Sequence, residues 1–184
     1  MKISLSLLIS LFFLAACKKE TAKPSPTLEV TSTTDVSKLP GPVPFNASFK
    51  IKLVKDATHS DEADFIFRQT SSLAYVVNED APYFNSGAQA SLCSISSDGR
   101  DLAINSLPFS KGMSIALNVN AASDGTFSLQ KSYASNTPAN LHVWLKDALL
   151  KDSVDLFKAN YNFNITHADA NSFGSKRFKL IIRL

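Results

Sequence analysis

The side chains that could perform acid–base or metal chemistry in this sequence are not arranged in a recognisable catalytic motif. The three histidines are His59, His142 and His167, and none has a zinc-ligand spacing such as H-E-x-x-H. No serine lies in a G-x-S-x-G elbow, and the few glycines form no phosphate-binding loop. We therefore interpret the histidines as ordinary surface residues and predict no catalytic residue, no metal ligand and no cofactor.

The carboxylates form two clusters in regions that look like loops. Asp61, Glu62 and Asp64 form the first, and Glu79 and Asp80 form the second. Glycoside hydrolysis needs two carboxylates flanking a cleft, and Ca²⁺ prefers oxygen ligands of this kind. Loop carboxylates are usually only solvated, which is the interpretation that we prefer. A small hydrolase and a bound Ca²⁺ remain as alternatives.

Three aromatic residues are candidates for binding a ligand. Trp144 has the strand parity opposite to that of Val143 and Leu145, so it projects from the outer face if those two residues face the core. Tyr83 and Phe84 lie together in a polar loop. An exposed aromatic ring beside polar groups can stack on a sugar or on a partner surface. The alternative is that a loop or a neighbouring strand covers them.

The first cysteine lies where a covalent modification is expected. Lys2 precedes an apolar run over residues 3–14, which is too short to span a membrane and has the proportions of a secretory signal. The run ends in Leu14-Ala15-Ala16-Cys17, which resembles the bacterial lipobox. Residues 1–16 are therefore predicted to be a lipoprotein signal peptide, and Cys17 is predicted to be acylated and to anchor the chain to a membrane. An ordinary signal peptide is the alternative.

Residues 17–44 have the composition of a tether. After the lipidated Cys17 this segment has no aromatic residue, and it contains five of the eight prolines among Thr, Ser, Lys and Glu. Such a segment buries too little apolar surface to offset the entropy of ordering it, so we expect it to be flexible and partly extended. Residues 45–184 are then predicted to form one domain.

Charge and cysteine content narrow the classes of partner. The formal net charge of +3 falls to +2 without Lys2, and the basic residues are dispersed, so no nucleic-acid partner is predicted. If Cys17 carries lipid, Cys93 is the one remaining thiol and has no partner for an intramolecular disulfide. We expect Cys93 to be buried as a small apolar residue, with a reactive or intermolecular thiol as the alternative.

From residue 45 onward the pattern is that of short strands. Apolar and polar residues alternate with a period of two, and Gly, Asp, Asn and Pro mark turns between the runs. The predicted strands, about ten in number, lie at residues 45–53, 63–68, 73–77, 92–96, 102–105, 113–119, 126–131, 141–145, 153–156, 161–165 and 177–184. In the last strand Arg177, Lys179 and Arg183 are predicted to face solvent. This pattern predicts an all-β, antiparallel β-sandwich of the immunoglobulin-like or jelly-roll-like kind.

The order of several strand motifs resembles a known module. Residues 141–147, Asp155-Leu156, Tyr161-Asn-Phe163 and 177–180 are similar to the closing strands of a module in secreted surface proteins of Bacteroidetes-type bacteria. Upstream, Asp61-Glu62 and residues 92–96 and 102–108 resemble its earlier strands. The resemblance covers nearly all of residues 61–184. In large proteins that module often precedes a type IX sorting domain, whereas here a lipid anchor appears in its place.

Membership of that group implies a β-sandwich in a surface or adhesion-related context and implies no catalytic residues. Together with the anchor, it predicts a non-enzymatic lipoprotein of the outer membrane, on the outer face rather than the periplasmic face. Its expected role is that of a binding, adhesion or structural module of the envelope, with a glycan or protein partner. The alternative is a carbohydrate-binding lipoprotein that uses Trp144 or the Tyr83–Phe84 pair.

Overall fold

The computed structural model describes residues 46–85 and 87–184 of the chain, so the predicted signal peptide, Cys17 and the tether lie outside the described residues. The fold of the described part is all-β, as predicted, and it contains no helix. Its eleven strands are β1 (Ser48–Val54), β2 (Ser60–Phe67), β3 (Ala81–Pro82), β4 (Ser91–Ile95), β5 (Asp101–Leu107), β6 (Ser114–Asn120), β7 (Gly125–Ser135), β8 (His142–Asp147), β9 (Asp152–Asp155), β10 (Tyr161–Ile165) and β11 (Gly174–Arg183). In these two ranges no helix is long and apolar enough to cross a membrane.

The alternation of apolar and polar residues places the core as expected. In β1 the side chains of Phe49, Ile51 and Leu53 are fully buried, while Lys50 and Lys52 remain partly exposed. The same two-residue period is seen in β6, β8 and β10. Ten of the eleven predicted strands therefore correspond to strands of the structure, with bounds that differ by a few residues.

The predicted strand at residues 73–77 is wrong. This segment consists of bends and turns within a long connection from β2 to β4. The backbone N–H of Tyr75 donates to Asp98, and that of Val76 donates to Asp80. Two backbone donors of the segment are thus satisfied by side-chain carboxylates rather than by a neighbouring strand.

The strands belong to a single sheet rather than to two separate sheets. Its order is β10-β7-β1-β2-β5-β4-β6-β11-β8-β9, with β3 paired to β5. The pairing is antiparallel except between β2 and β5, which run parallel. The sheet is nearly closed and barrel-like, which suggests an arrangement different from the predicted two-sheet sandwich and does not confirm that prediction. Sequence alternation alone cannot distinguish these arrangements, because both bury one face of every strand.

The sheet curls until its two ends meet around aromatic residues. β10 is at one end of the order and β11 is eighth, yet the rings of Phe163 and Phe178 lie 4.7 Å apart. The hydroxyl of Tyr161 in β10 donates to Asp147 of β8 over 3.1 Å. These contacts close the interior on the side where no backbone ladder joins β10 to β9.

Arg177 corrects the prediction for the last strand. It is 3% exposed, whereas Lys179 and Arg183 are exposed as predicted. The pairing of β11 with β6 shifts register between Gly174 and Phe178, so the parity of residues before Phe178 no longer follows that of the residues after it. The guanidinium is therefore turned inward, with its carbon 4.8 Å from the ring centroid of Phe163 and 4.6 Å from that of Phe178.

Candidate functional site

The outer surface of β8, β9 and β11 carries the aromatic candidate and most of the polar groups around it. Leu141, Val143 and Leu145 point into the core, and the residues between them therefore point outward. Cross-strand pairing sets Trp144 opposite Ile181 of β11 and Asp155 of β9. We call this surface the Trp144 face and define it by six residues: His142, Trp144, Lys146, Ser153, Lys179 and Arg183.

Trp144 is half-buried, which lies between the two outcomes considered from the sequence. It lines an open cavity of about 210 Å³ together with Lys146, Ser153 and Arg183. A second cavity of about 270 Å³ shares Lys146 and Ser153 with the first. The indole is therefore held in place by the strands and still accessible beside these two neighbouring open cavities, which we call the groove.

The groove continues past the β8–β9 turn. The second cavity is also lined by Lys151, Asp152 and Lys179. It shares Ala148 with a third, larger cavity of about 490 Å³, on whose wall Lys176 lies. The three cavities together make an extended, open surface that mixes apolar area with charged side chains, which suits a long flexible ligand better than a small enclosed one.

At the other end of the Trp144 face, His142 is joined to a buried carboxylate. Its Nδ1 lies 2.7 Å from Oδ2 of Asp155, whose side chain is 4% exposed. Burial raises the pKa of Asp155, but hydrogen bonds from His142 and from the backbone N–H groups of Phe157 and Val143 outweigh burial and lower it. Asp155 therefore stays ionised and fixes the orientation of the His142 ring.

No known protein family, curated protein or solved structure matches this chain. Any function of the chain must therefore be inferred from its own residues.

The two residues of the second aromatic candidate, Tyr83 and Phe84, have different surroundings. The hydroxyl of Tyr83 donates to Asp61 over 2.6 Å and lies 2.8 Å from the hydroxyl of Ser91. Burial and the bond to Asp61 raise the pKa of Tyr83 to about 12. Phe84, in contrast, is 84% exposed. The hydrogen bonds of Tyr83 thus hold the long connection against the sheet, and of the two rings only that of Phe84 is largely exposed.

The carboxylate clusters are used by the fold itself. Asp61 also accepts a hydrogen bond from the backbone N–H of Leu92, and Asp64 forms an ion pair with Lys50. The two oxygens of Asp80 accept from the backbone N–H groups of Val76 and Ser106. Across residues 46–85 and 87–184, no three His, Cys, Asp or Glu side chains are placed to hold a metal ion together.

All three histidines pair with aspartates, which sequence reasoning missed. His59 pairs with Asp56 at 2.8 Å and His167 with Asp124 at 2.5 Å, in addition to His142 with Asp155. Only the first pair is close enough in sequence to have been noticed. Within the described chain, the one hydroxyl bonded to a histidine is that of Thr58, which contacts the same ring nitrogen as Asp56. No nucleophile–base–acid relay is therefore formed around these pairs.

Cys93 is a free thiol, 1% exposed, in the middle of β4. Burial and the nearby carboxylate of Asp101 raise its pKa, so it remains a neutral thiol at physiological pH. In the Cys17→Ala variant, where Cys93 is the single cysteine, we expect no reaction with a disulfide reagent until the protein is unfolded in guanidinium. One reactive thiol should then appear. A native protein that reacts at once would show that Cys93 is accessible.

Proposed function

We propose that this chain is a lipid-anchored, non-enzymatic binding module of the outer membrane, displayed on the outer face of the cell. Three features of the sequence support this proposal. They are the lipobox-like ending at Cys17, the proline-rich tether over residues 17–44, and the resemblance of residues 61–184 to a surface module of Bacteroidetes-type bacteria. A tether of this composition holds a domain away from the membrane and leaves its surface free for a partner.

The Trp144 face is the observation that carries the binding role. It combines a positioned indole with lysine, arginine and serine side chains along an open groove. An aromatic ring offers apolar area for the face of a sugar, and the flanking polar side chains can hydrogen-bond its hydroxyls. This combination favours the carbohydrate-binding form of the proposal over a purely structural role in the envelope.

The anchor is tested by shaving intact cells with a protease. Wild-type protein should be removed from sealed cells, whereas Cys17→Ala should lose incorporation of labelled fatty acid and leave the membrane fraction. Protection of the wild-type protein until the outer membrane is opened would place it in the periplasm and overturn display on the outer face.

The carbohydrate role can be tested by fluorescence, because Trp144 is the one tryptophan in the chain. A polysaccharide that stacks on the indole should change its emission on titration. The substitution Trp144→Phe replaces the indole by a smaller ring and should weaken binding by roughly tenfold, or about 1.4 kcal/mol. Retention on an immobilised polysaccharide measures this loss. Phe84→Ala, which removes a more exposed aromatic ring elsewhere, is the matched control and should bind as the wild type does. Equal loss in both variants would argue against a specific site at Trp144.

A further inference from the structure

The Trp144 face and its extension along the groove carry basic residues without carboxylate partners. Lys146, Lys151, Lys176, Lys179 and Arg183 are all exposed, and within the described chain none of them forms an ion pair. The carboxylates nearest to them in the strands are already committed: Asp147 is paired with Arg177, and Asp155 with His142 and Lys158. Asp152 is the one exposed acidic residue that lines this groove.

The pairing of two lysines across strands makes this arrangement unusual. Lys146 of β8 lies directly opposite Lys179 of β11. Like charges in directly opposed positions of an antiparallel pair destabilise it. The sheet therefore contains a repulsion at this point that a bound anion would relieve.

Elsewhere in the same sheet, lysines are neutralised in the usual way. Lys50 lies opposite Asp64 and Lys52 lies opposite Glu62 across β1 and β2. Both pairs form ion pairs, at 3.4 Å and 3.9 Å. The chain thus places a carboxylate opposite each of these two lysines, whereas on the Trp144 face Lys146 has a second lysine opposite it in β11.

A further cation lies at the β8–β9 turn in a costly conformation. Lys151 has φ +54°, in the left-handed region that Gly or Asn adopts with less strain. Its side chain lines the same cavity as Lys146 and Lys179. Strain of this kind is commonly retained where a side chain has a role that the favoured residue cannot perform.

From these observations we infer that the ligand of the Trp144 face is an acidic polysaccharide, whose carboxylate or sulfate groups bind Lys146, Lys179 and Arg183 while a sugar ring stacks on Trp144. Cross-strand pairing sets three rows: Lys146 with Lys179, Trp144 with Ile181, and His142 with Arg183. Successive rows are about 7 Å apart along the strands, so cations lie on both sides of the indole. A linear chain that carries repeated acidic groups meets this pattern. The inference rests on the proposed carbohydrate-binding function and narrows its class of ligand.

To test this inference, the full chain is purified in detergent and each of three polymers is added in increasing amounts while the Trp144 emission is recorded. Heparin supplies sulfates, polygalacturonate supplies carboxylates, and dextran is neutral. Binding of an acidic polymer should weaken as salt is raised, and it should weaken by roughly tenfold in Lys146→Gln/Lys179→Gln. Lys111→Gln/Lys131→Gln removes the same charge from two exposed lysines that line none of the three cavities, and this variant should bind as the wild type does.

Lys151→Gly separates loss of binding from loss of folding. Glycine relieves the left-handed conformation, so the melting temperature should rise, while removal of the cation should weaken binding of the acidic polymer. The two effects have opposite signs, and unfolding cannot imitate them together.

Three other outcomes would overturn either the preference for acidic polymers or the carbohydrate-binding role. Equal binding of dextran and heparin, unaffected by the lysine substitutions, would overturn the acidic preference and leave the carbohydrate role in place. If no polymer changes the Trp144 emission and the protein is retained on none of them, the proposed carbohydrate-binding role is wrong. Binding to vesicles of anionic phospholipid without binding to either acidic polymer would instead identify the face as a membrane contact.

Discussion

Asp147→Asn should lower the free energy of unfolding by about 3–5 kcal/mol, because it leaves the buried Arg177 guanidinium without its counter-charge. Nη2 of Arg177 lies 2.9 Å from Oδ2 of Asp147, and both side chains are almost completely buried. The guanidinium also donates to the backbone carbonyls of Asn164 and Ser172, and Tyr161 donates to Asp147. Chemical denaturation of the two proteins at pH 7 measures the difference.

The matched control removes both charges. Asp147→Leu/Arg177→Met should recover most of the lost stability, because an apolar pair of similar volume avoids the cost of an unpaired buried charge. If the double variant is as unstable as Asp147→Asn, the packing and the backbone contacts of Arg177 matter more than its charge. If Asp147→Asn itself lowers the free energy of unfolding by less than about 1 kcal/mol, the ion pair of Asp147 with Arg177 is not a major source of stability.

Acid should weaken the same contact. Burial raises the pKa of Asp147, but the hydrogen bonds and charge of Arg177 outweigh burial and hold that pKa below its ordinary value. A carboxyl group whose pKa is lower in the folded than in the unfolded protein adds stability above the unfolded value of about 3.9. That stability is lost as the pH falls through the folded pKa. The stability gap between the wild type and Asp147→Asn should therefore shrink in acid.

Phe49→Ala should also lower the free energy of unfolding by about 3–5 kcal/mol, because it opens a cavity in the middle of the core. Phe49 is fully buried in β1. Its ring stacks on that of Phe65, with the ring centroids 4.9 Å apart. The ring centroids of Phe67 and Phe157 lie 5.8 Å and 5.6 Å from that of Phe49. Since a domain of this size is stable by only about 5–15 kcal/mol, the variant should unfold at a much lower guanidinium concentration.

Phe84→Ala serves as the control for that substitution. It deletes the same ring from a side chain that is 84% exposed, so its stability should stay within about 0.5 kcal/mol of the wild type. A cost for Phe49→Ala as small as that would mean that the neighbouring rings of the core rearrange to fill the space.

Much of the fold was predictable because alternation is a local property. The apolar residues of β1, β6, β8 and β10 repeat every second position, and the structure buries them. Strand pairing is not local. The parallel contact of β2 with β5 and the position of β11 between β6 and β8 join residues far apart in sequence, so alternation could not distinguish one curled sheet from two flat ones.

The candidate site was predictable only in part, for the same reason. The parity of Trp144, His142 and Lys146 followed from β8 alone. That Lys179 lies opposite Lys146 follows from the register of β11 against β8, which no single strand reveals. Arg177 was misplaced because a register shift reverses strand parity, and alternation gives no sign of such a shift.

The position of β11 also affects how the chain can fold. Without this strand, no backbone strand pairing would join β8 and β9 to the other strands of the sheet. The paired residues of β6 and β11 are more than fifty positions apart in sequence. Pairing them closes a long loop, and the chain loses conformational entropy before the contacts can offset that loss. High contact order of this kind places the domain among slow folders, in the millisecond-to-second range. The Trp144 face needs both β8 and β11, so it cannot form until β11 has paired between β6 and β8.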